Sequence, residues 1–485
     1  MRRSYSSIQK TDLLKLASIV GKSNLLLPGG DGTERYTTDW LGNNPSPLSS
    51  VVRPGDTREV SEVLKYCNFR GIGVVPQAGN TGLVRGGVPS ESSQIVLSVE
   101  RLNSISHIDE ESGVVVCGAG VVLQTLDEAL KEKGLMAPLD LGAKGSCMIG
   151  GNVSTNAGGL RLLRYGSLHG SVLGLEVVLA NGTVLNMMTT LRKDNVGFDV
   201  KQIFIGGEGA LGVITAVSLL AAPRPTTVNV SMLGVRSFEN CRRLLRLARQ
   251  KCGEIISAVE FSDAQALGLA MGAMAGFGPL PFQSPHPFYL FLETSGSHSS
   301  HDQEKLMGFL EAAQSAGLLE DGVIAGDVRQ ARSIWRLRED LPVGIAKRGK
   351  VFKYDVSLAL PRMYSFVEAT RERLSNLGWD AKGVIPVGYG HLGDGNLHLN
   401  VSTPLSISMP GGQAFLSALE RDIEPWVYEW TLKEGGSISA EHGIGRDKVE
   451  WLPRAKPEAV VLAMRGIKEL LDPKGIMNPG KVLSS

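Results

Sequence analysis

The sequence predicts an α+β protein of more than one domain: a glycine-loop-rich N-terminal half, an antiparallel-sheet domain with helices on one face, and a helical C-terminal segment. Three observations predict it. The chain has 485 residues, more than one hydrophobic core usually serves. Many of its 59 glycines crowd into short loops between residues 77 and 212. Beyond Ala222-Pro-Arg-Pro-Thr-Thr227, a turn-rich boundary, the texture changes to long alternating segments interleaved with helical ones.

In chain order, residues 50–75 read as strand, helix, strand. Asp56 caps the helix with Glu59 three positions on, Val60, Val63, Leu64 and Cys67 form its apolar face, and Gly71 stops it. Val74 and Val75 lead into the loop Gln77 to Gly87. Leu175, Val177 and Leu179 alternate into Asn181-Gly182 and then Thr183-Val-Leu185, a hairpin signal. Strands are expected near 228–235, 255–261, 288–293, 351–357 and 396–402, with helices at 304–316, 327–340 and 361–376. The predicted domains are a 1–35 extension, 36–224, 225–412 and 413–485.

Composition excludes several classes. A hydrophobic content of 42% and a charged content of 20% are ordinary for a globular chain. The net charge of +1 removes a broad electrostatic case for nucleic acid or an anionic membrane. Five scattered cysteines without a Cys-x-x-Cys pair oppose a disulfide framework and a thiolate zinc site. No apolar run approaches the roughly 20 residues that span a bilayer. Met1 to Ser7 is basic, serine-rich and free of acids, which suits either the stub of a mitochondrial presequence or a frayed terminus.

Gly207-Glu-Gly209-Ala-Leu-Gly212 matches the G-x-G-x-x-G string but lacks its context. Val213 to Leu219 reads as a strand, and no acid follows until Glu239. Together with Gln77–Gly87 and Gly150–Gly159 it makes three loops rich in glycine and short polar side chains. Such loops can form anion-binding concavities for one pyrophosphate-bearing cofactor, or they are three unrelated tight turns. Two histidine motifs stand out, Gly390-His391-Leu-Gly-Asp394-Gly-Asn-Leu-His398-Leu-Asn400 and Ser439-Ala-Glu441-His442-Gly443. Two imidazoles across a glycine turn plus a carboxylate suit zinc or a similar divalent ion, or else histidines packed in a polar turn. No H-E-x-x-H helix supports a metallopeptidase. Trp335-Arg-Leu-Arg338 and Lys350-Val-Phe-Lys353 offer cations for a carboxylate, against the plain alternative of a solvated basic face.

These loops together resemble the FAD-binding domain of the vanillyl-alcohol oxidase/p-cresol methylhydroxylase superfamily. Within it, Leu139 to Ser146, Asn156-Ala-Gly-Gly-Leu160, Arg164 to His169 and Leu191-Arg-Lys-Asp194 resemble the D-2-hydroxyglutarate dehydrogenase family, and Asp472 to Lys481 resembles the superfamily's terminal segment. The resemblance runs from about residue 36 to the C-terminus. It implies a two-subdomain FAD-binding domain of the vanillyl-alcohol oxidase type, an antiparallel-sheet substrate domain, and a C-terminal segment returning to the flavin. It implies FAD contacts from Pro76, Gln77, Ala78, Gly79, Asn80, Thr81, Gly82, Ser146, Gly150, Gly151, Asn152, Thr155, Gly159, Ile214 and Asn478. His391, His398 and Glu441 become ligands of a divalent metal, zinc by expectation. His442 becomes the general base, and Arg338, Lys353, Asn400 and His442 the substrate contacts.

The implied reaction is oxidation of D-2-hydroxyglutarate to 2-oxoglutarate, with hydride passing from C2 to flavin N5. Electron transfer flavoprotein is the implied acceptor, and the mitochondrial matrix the implied compartment in a eukaryote (otherwise the cytoplasm). A homodimer is compatible with the sequence and not specified by it. Two departures are noted. Ala78 stands where the family has glycine, and Pro342 where it has a hydroxyl-bearing residue, which puts substrate preference in doubt. Residues 76–87 hold no histidine or cysteine, so FAD is expected to be non-covalent, with Cys147 the sole candidate tether. Within the family, D-lactate or glycolate oxidation remains the alternative. From other classes, a non-catalytic flavin-binding scaffold would not need His442, and a hydrolase would not need the glycine loops.

Overall fold

The computed structural model describes residues 5–40, 42, 46–274 and 279–484, so the first four residues of the basic N-terminal stretch lie outside the described residues. The chain divides into two compact units. One comprises Met1–Gly159, Tyr165–Arg224 and Glu441–Ser485, and the other Leu160–Arg164 and Pro225–Ala440.

The first unit holds two larger sheets. In one, the strands run in the order Leu25–Leu26, Val51–Val52, Gln94–Ser98, Gly73–Gln77, and the last three are parallel. The other is antiparallel, in the order Ile105–Ile108, Val114–Gly118, Val213–Leu220, Val172–Val178, Val184–Met187. The helix Thr57–Arg70 follows the sequence reading closely. Asp56 accepts from the Glu59 N–H at 2.7 Å, and Val60, Val63, Leu64 and Cys67 are fully buried. Burying each such side chain contributes roughly 1.5–3 kcal/mol. The C-terminal tail returns beside the Gly73–Gln77 strand, where the Val74 N–H donates to Ile476 and the Asn478 N–H to Val74, both at 2.8 Å.

The second unit is built on a seven-stranded, fully antiparallel sheet. Its order is Asp321–Ile324, Thr227–Val235, Phe288–Gly296, Ile256–Asp263, Ile385–His391, Asn396–Ser402, Val351–Ser357. Five of the seven were expected. The strand Ile385–His391 was not, because Pro386, Gly388 and Gly390 argue against a strand interior. Tertiary packing accounts for two of them: a Cβ at Gly390 would stand 2.3 Å from the Asn396 oxygen, and one at Gly388 2.6 Å from Val367. Adjacent residues on a strand face opposite ways. Phe261 packs on Phe238 of the helix Phe238–Cys252, whereas Glu260 meets Arg338 of the helix Val328–Glu339. The sheet therefore carries helix on both faces, where the sequence suggested one.

In the first unit, an ion pair ties the N-terminal helix Lys10–Val20 to the helix Thr57–Arg70. The fully buried Asp12 carboxylate accepts from Arg70 Nε and Tyr66 Oη, each at 2.7 Å, and from the Gln9 N–H at 2.8 Å. The Arg70 bond foremost lowers the Asp12 pKa from 3.8 to about 2. A depressed carboxylate stabilises the fold above its unfolded pKa and loses that contribution as pH falls through the folded value. Arg70 is partly exposed, so screening leaves on the order of 1–2 kcal/mol. Asp12→Asn is expected to lower the urea midpoint at neutral pH. The gap from wild type should close as pH falls from about 4 toward 2, and a gap independent of pH would contradict this.

Candidate functional site

Strand register places most of the sequence-predicted polar residues of the second unit on one sheet face. Directly paired residues share a face. Lys353 pairs with Asn400, Asp355 with His398, His398 with Tyr389, and His391 with Glu260. Since alternate residues along a strand also share a face, Lys353, Asp355, His398, Asn400, His391 and Glu260 form a contiguous polar patch across four strands. The opposite side of these strands presents Phe352, Val356, Leu397, Leu399, Val401 and Phe261, all buried.

Glu260, which sequence reading missed, organises this patch. Its Oε1 meets His391 Nδ1 at 2.7 Å, and its Oε2 accepts from Arg338 Nε at 3.0 Å with Nη2 at 2.7 Å. Burial pushes the carboxyl up, but His391 and Arg338 overcome it, and the net pKa lies below the usual value. Arg338 also lies 5.0 Å from the centre of the Tyr389 ring. The sequence-predicted substrate cation is thus buried and already shares a carboxylate, with Nη1 left for a ligand. The sequence signal for Glu260 was an acid between the apolar Val259 and Phe261 in an expected strand.

His398 has Asp355 as its carboxylate, with Nδ1 3.7 Å from Oδ1, and Asn396 Nδ2 donates to that oxygen at 2.7 Å. The His391 and His398 rings meet edge to face with centroids 5.1 Å apart. Among the described residues no group of three or more His, Cys, Asp or Glu side chains is placed to hold a metal ion. His391 has a carboxylate within hydrogen-bond reach of Nδ1, the feature that characterises metal-ligating histidines, whereas the 3.7 Å between His398 and Asp355 is too long for one. Lys353 has no ion-pair partner among the described residues, and burial, with Lys350 nearby, lowers its pKa. The Asn400 Oδ1 is buried with no hydrogen-bond partner, a polar atom awaiting a ligand or water. Pro342 opens the short helix Leu341–Ala346, where its missing N–H costs nothing.

In the first unit the three glycine loops converge. A Cβ on Gly79 would stand 2.1 Å from the Ser146 oxygen, one on Gly151 2.8 Å from the Ala78 methyl, and one on Gly209 3.1 Å from Pro76. The Gly206 and Glu208 N–H groups donate to Val153 and Ser154 at 3.0 and 2.8 Å. Several predicted cofactor contacts brace these loops internally. Gln77 Nε2 donates to Tyr36 and Gly87, Asn80 Nδ2 to Arg35 and Thr38, Thr155 Oγ1 to Gly151, and Asn478 Nδ2 to Gly86 and Glu208. Ala78 is absent from the positive-φ residues, so its methyl carries no backbone strain. Ser146 and Gly82 are exposed, Thr81 is half-buried, and Gly150, Ile214 and Asn152 are buried. The Asn152 Oδ1 lacks a partner, which fits a bound group there. Cys147 is buried in the apolar core, and burial raises its thiol pKa, so it is not poised as a flavin tether.

The segment that begins at Glu441 also belongs to this unit. Glu441 Oε1 accepts from the Gly159 N–H at 3.3 Å, joining the predicted metal ligand to the second glycine loop. Just past His442, the Ile444 and Gly445 N–H groups donate to Glu208 at 2.8 and 2.7 Å. Lys481 Nζ is buried against Asn478 Oδ1 at 2.8 Å, and burial lowers its pKa to about 7.

Comparison with known proteins gives the family and the fold. Residues 48–188 match the FAD binding domain model, and residues 224–482 match the model of FAD linked oxidases, C-terminal domain. The D-2-hydroxyglutarate dehydrogenase of Bos taurus is 48% identical over 99% of this chain and 85% of its own. The D-2-hydroxyglutarate–pyruvate transhydrogenase of Saccharomyces cerevisiae is 39% identical over 99% of this chain and 95% of its own. Among solved structures, p-cresol methylhydroxylase with substrate bound superposes with a TM-score of 0.79 at 16% identity, covering 99% of this chain and 98% of that one. That likeness establishes the fold expected from the sequence.

Gly79→Ala is expected to drive the Pro76–Gly82 loop off Ser146 and to lower the FAD that copurifies. The ratio of visible flavin absorbance to protein absorbance measures it, and an unchanged ratio would show that the close approach tolerates a methyl group.

Proposed function

This chain belongs to the D-2-hydroxyglutarate dehydrogenase family of FAD-linked oxidoreductases, and we propose that it oxidises D-2-hydroxyglutarate to 2-oxoglutarate. The observation that carries the reading is the polar sheet face, which sets Lys353 and Asn400 beside His398 and the Arg338–Glu260–His391 chain. FAD, when bound, supplies the hydride acceptor for C2 at flavin N5. On the family reading His391, His398 and Glu441 would be the ligands of a divalent ion, which would supply Lewis acidity toward the substrate's 2-hydroxyl.

The chain's own residues do the rest. His442 takes the proton of the 2-hydroxyl as general base, so that C2 gains a carbonyl as its hydrogen leaves with an electron pair. Arg338 offers Nη1, and Lys353 its ammonium, to the far carboxylate that distinguishes a dicarboxylate from lactate or glycolate. Burial, with Lys350 nearby, lowers the Lys353 pKa, and a substrate carboxylate beside it would favour the ammonium form again. Asn400 Oδ1 accepts from the substrate or an ordered water. The close-packed glycine loops and Asn478 bind FAD chiefly through backbone N–H groups, because Gln77, Asn80 and Thr155 spend their side chains on the protein.

No helix among the described residues is long and apolar enough to cross a membrane. Bovine and plant relatives are named as mitochondrial, which supports a mitochondrial location for this chain, and the family resemblance implies the matrix. Reduced flavin must be reoxidised. Electron transfer flavoprotein is the acceptor the family reading implies, and the name of the yeast relative favours pyruvate as a second.

Anaerobic mixing with D-2-hydroxyglutarate, L-2-hydroxyglutarate, D-lactate and glycolate tests the substrate. Bleaching of the visible flavin band is expected to be fastest with D-2-hydroxyglutarate, to be abolished by a chelator, and to return with Zn²⁺. Preference for D-lactate would reassign Arg338 and Lys353 to structural roles. His442→Ala should keep FAD and metal while slowing flavin reduction by about 10²–10⁴-fold. Glu441→Gln should lower the metal content of the purified protein, and an unchanged content removes Glu441 from the ligand set.

A further inference from the structure

Glu208 sits in the loop whose dinucleotide motif fails, and the proposed reaction gives it no role. Its φ of +49° lies in the left-handed region, uncommon for a residue with a side chain. Its backbone is held on both sides: the N–H donates to Ser154 at 2.8 Å, and the carbonyl accepts from Asn478 Nδ2 at 2.6 Å. The side chain reaches across to the segment after His442. Oε1 accepts from the Ile444 N–H at 2.8 Å, and Oε2 from the Gly445 N–H at 2.7 Å.

Two successive N–H groups aimed at one carboxylate form a backbone nest, and the charge makes both bonds stronger than neutral ones. The residue adjacent to His442 is pressed onto the same group. Gly443 has φ +81°, and a Cβ there would stand 2.7 Å from the Glu208 carboxyl carbon. Beyond the nest, the Arg446 N–H donates to Val84 at 2.9 Å, and the Gly445 carbonyl accepts from Val482 at 2.8 Å. The chain leaving His442 is thus anchored to the third glycine loop, the first glycine loop and the C-terminal tail, all within one unit.

We infer that Glu208 is a positioning residue for the oxidation: its carboxylate fixes the backbone next to His442 and so aims that imidazole. The inference rests on the reading of His442 as the base. A carboxylate is required because both N–H groups need an acceptor. Glutamine offers one oxygen and turns an N–H donor toward the other amide. A carboxylate that merely buttressed the glycine loops would show itself through lost FAD rather than through slowed chemistry.

The test compares the holoenzymes of wild type, Glu208→Gln, His442→Ala and the double variant by anaerobic flavin reduction with D-2-hydroxyglutarate. E208Q is expected to retain FAD and to bind substrate within about threefold of wild type. Its limiting reduction rate should fall by about 10–100-fold, the scale of a misaimed catalytic group. The double variant should be no slower than H442A within about threefold, because Glu208 acts through His442. A wild-type rate in E208Q, loss of its FAD, or multiplied losses in the double variant each overturn the inference. If H442A itself reduces normally, the base assignment falls first and this inference with it. If H442A is slow and E208Q is not, only the role of Glu208 falls. Gly443→Ala presses on the same carboxyl from the other side and keeps the test open should E208Q fail to fold. It should show the same slow reduction with FAD retained, and a wild-type rate would count against the nest.

Discussion

A carboxylate removed from water is costly unless charge and hydrogen bonds surround it, and Glu260 meets that constraint at the centre of the second unit. Its two oxygens are shared between Arg338 and His391, which fixes several features together. The helix Val328–Glu339 is held over the sheet face by its arginine. The Arg338 guanidinium is set over the Tyr389 ring. The other carboxylate oxygen lies 2.7 Å from His391 Nδ1 and holds that ring against the strand Ile256–Asp263. One buried acid therefore orients both the Arg338 guanidinium and the His391 imidazole.

In the first unit the corresponding constraint is steric. The first glycine loop lies so close to its neighbours that a single methyl at Gly79 would overlap the Ser146 carbonyl and one at Gly151 would crowd Ala78. Loops packed this tightly leave little room for side-chain recognition. The amides of Gln77, Asn80 and Asn478 are used to hold the loops, which leaves backbone N–H groups as the loops' main donors. The returning tail belongs to the same construction, since Asn478 joins Gly86 to Glu208 and pairs along Val74.

Local chemistry made much of this legible. The Asp56 cap, the apolar face of Val60, Val63, Leu64 and Cys67, and the Asn181-Gly182 hairpin follow from rules that act over a few residues. The strand after Gly212 was readable because Val213 to Leu219 is β-branched and apolar, and that reading correctly ruled out a dinucleotide motif. The strand Ile385–His391 was hidden, because proline and glycine speak against a strand until the partner's backbone is seen to need the space.

By itself, then, the sequence determined the fold class, the FAD-linked family and the residue types of the candidate site, because each is written in contiguous motifs. Only the tertiary structure decided which carboxylates those residues meet. Glu260 lies 78 positions from Arg338, and Glu208 lies 236 from Ile444. Neither contact leaves a trace in local pattern. A lone acid in a strand or a loop looks alike whether it faces water or a buried cation, and strand register and chain return settle which.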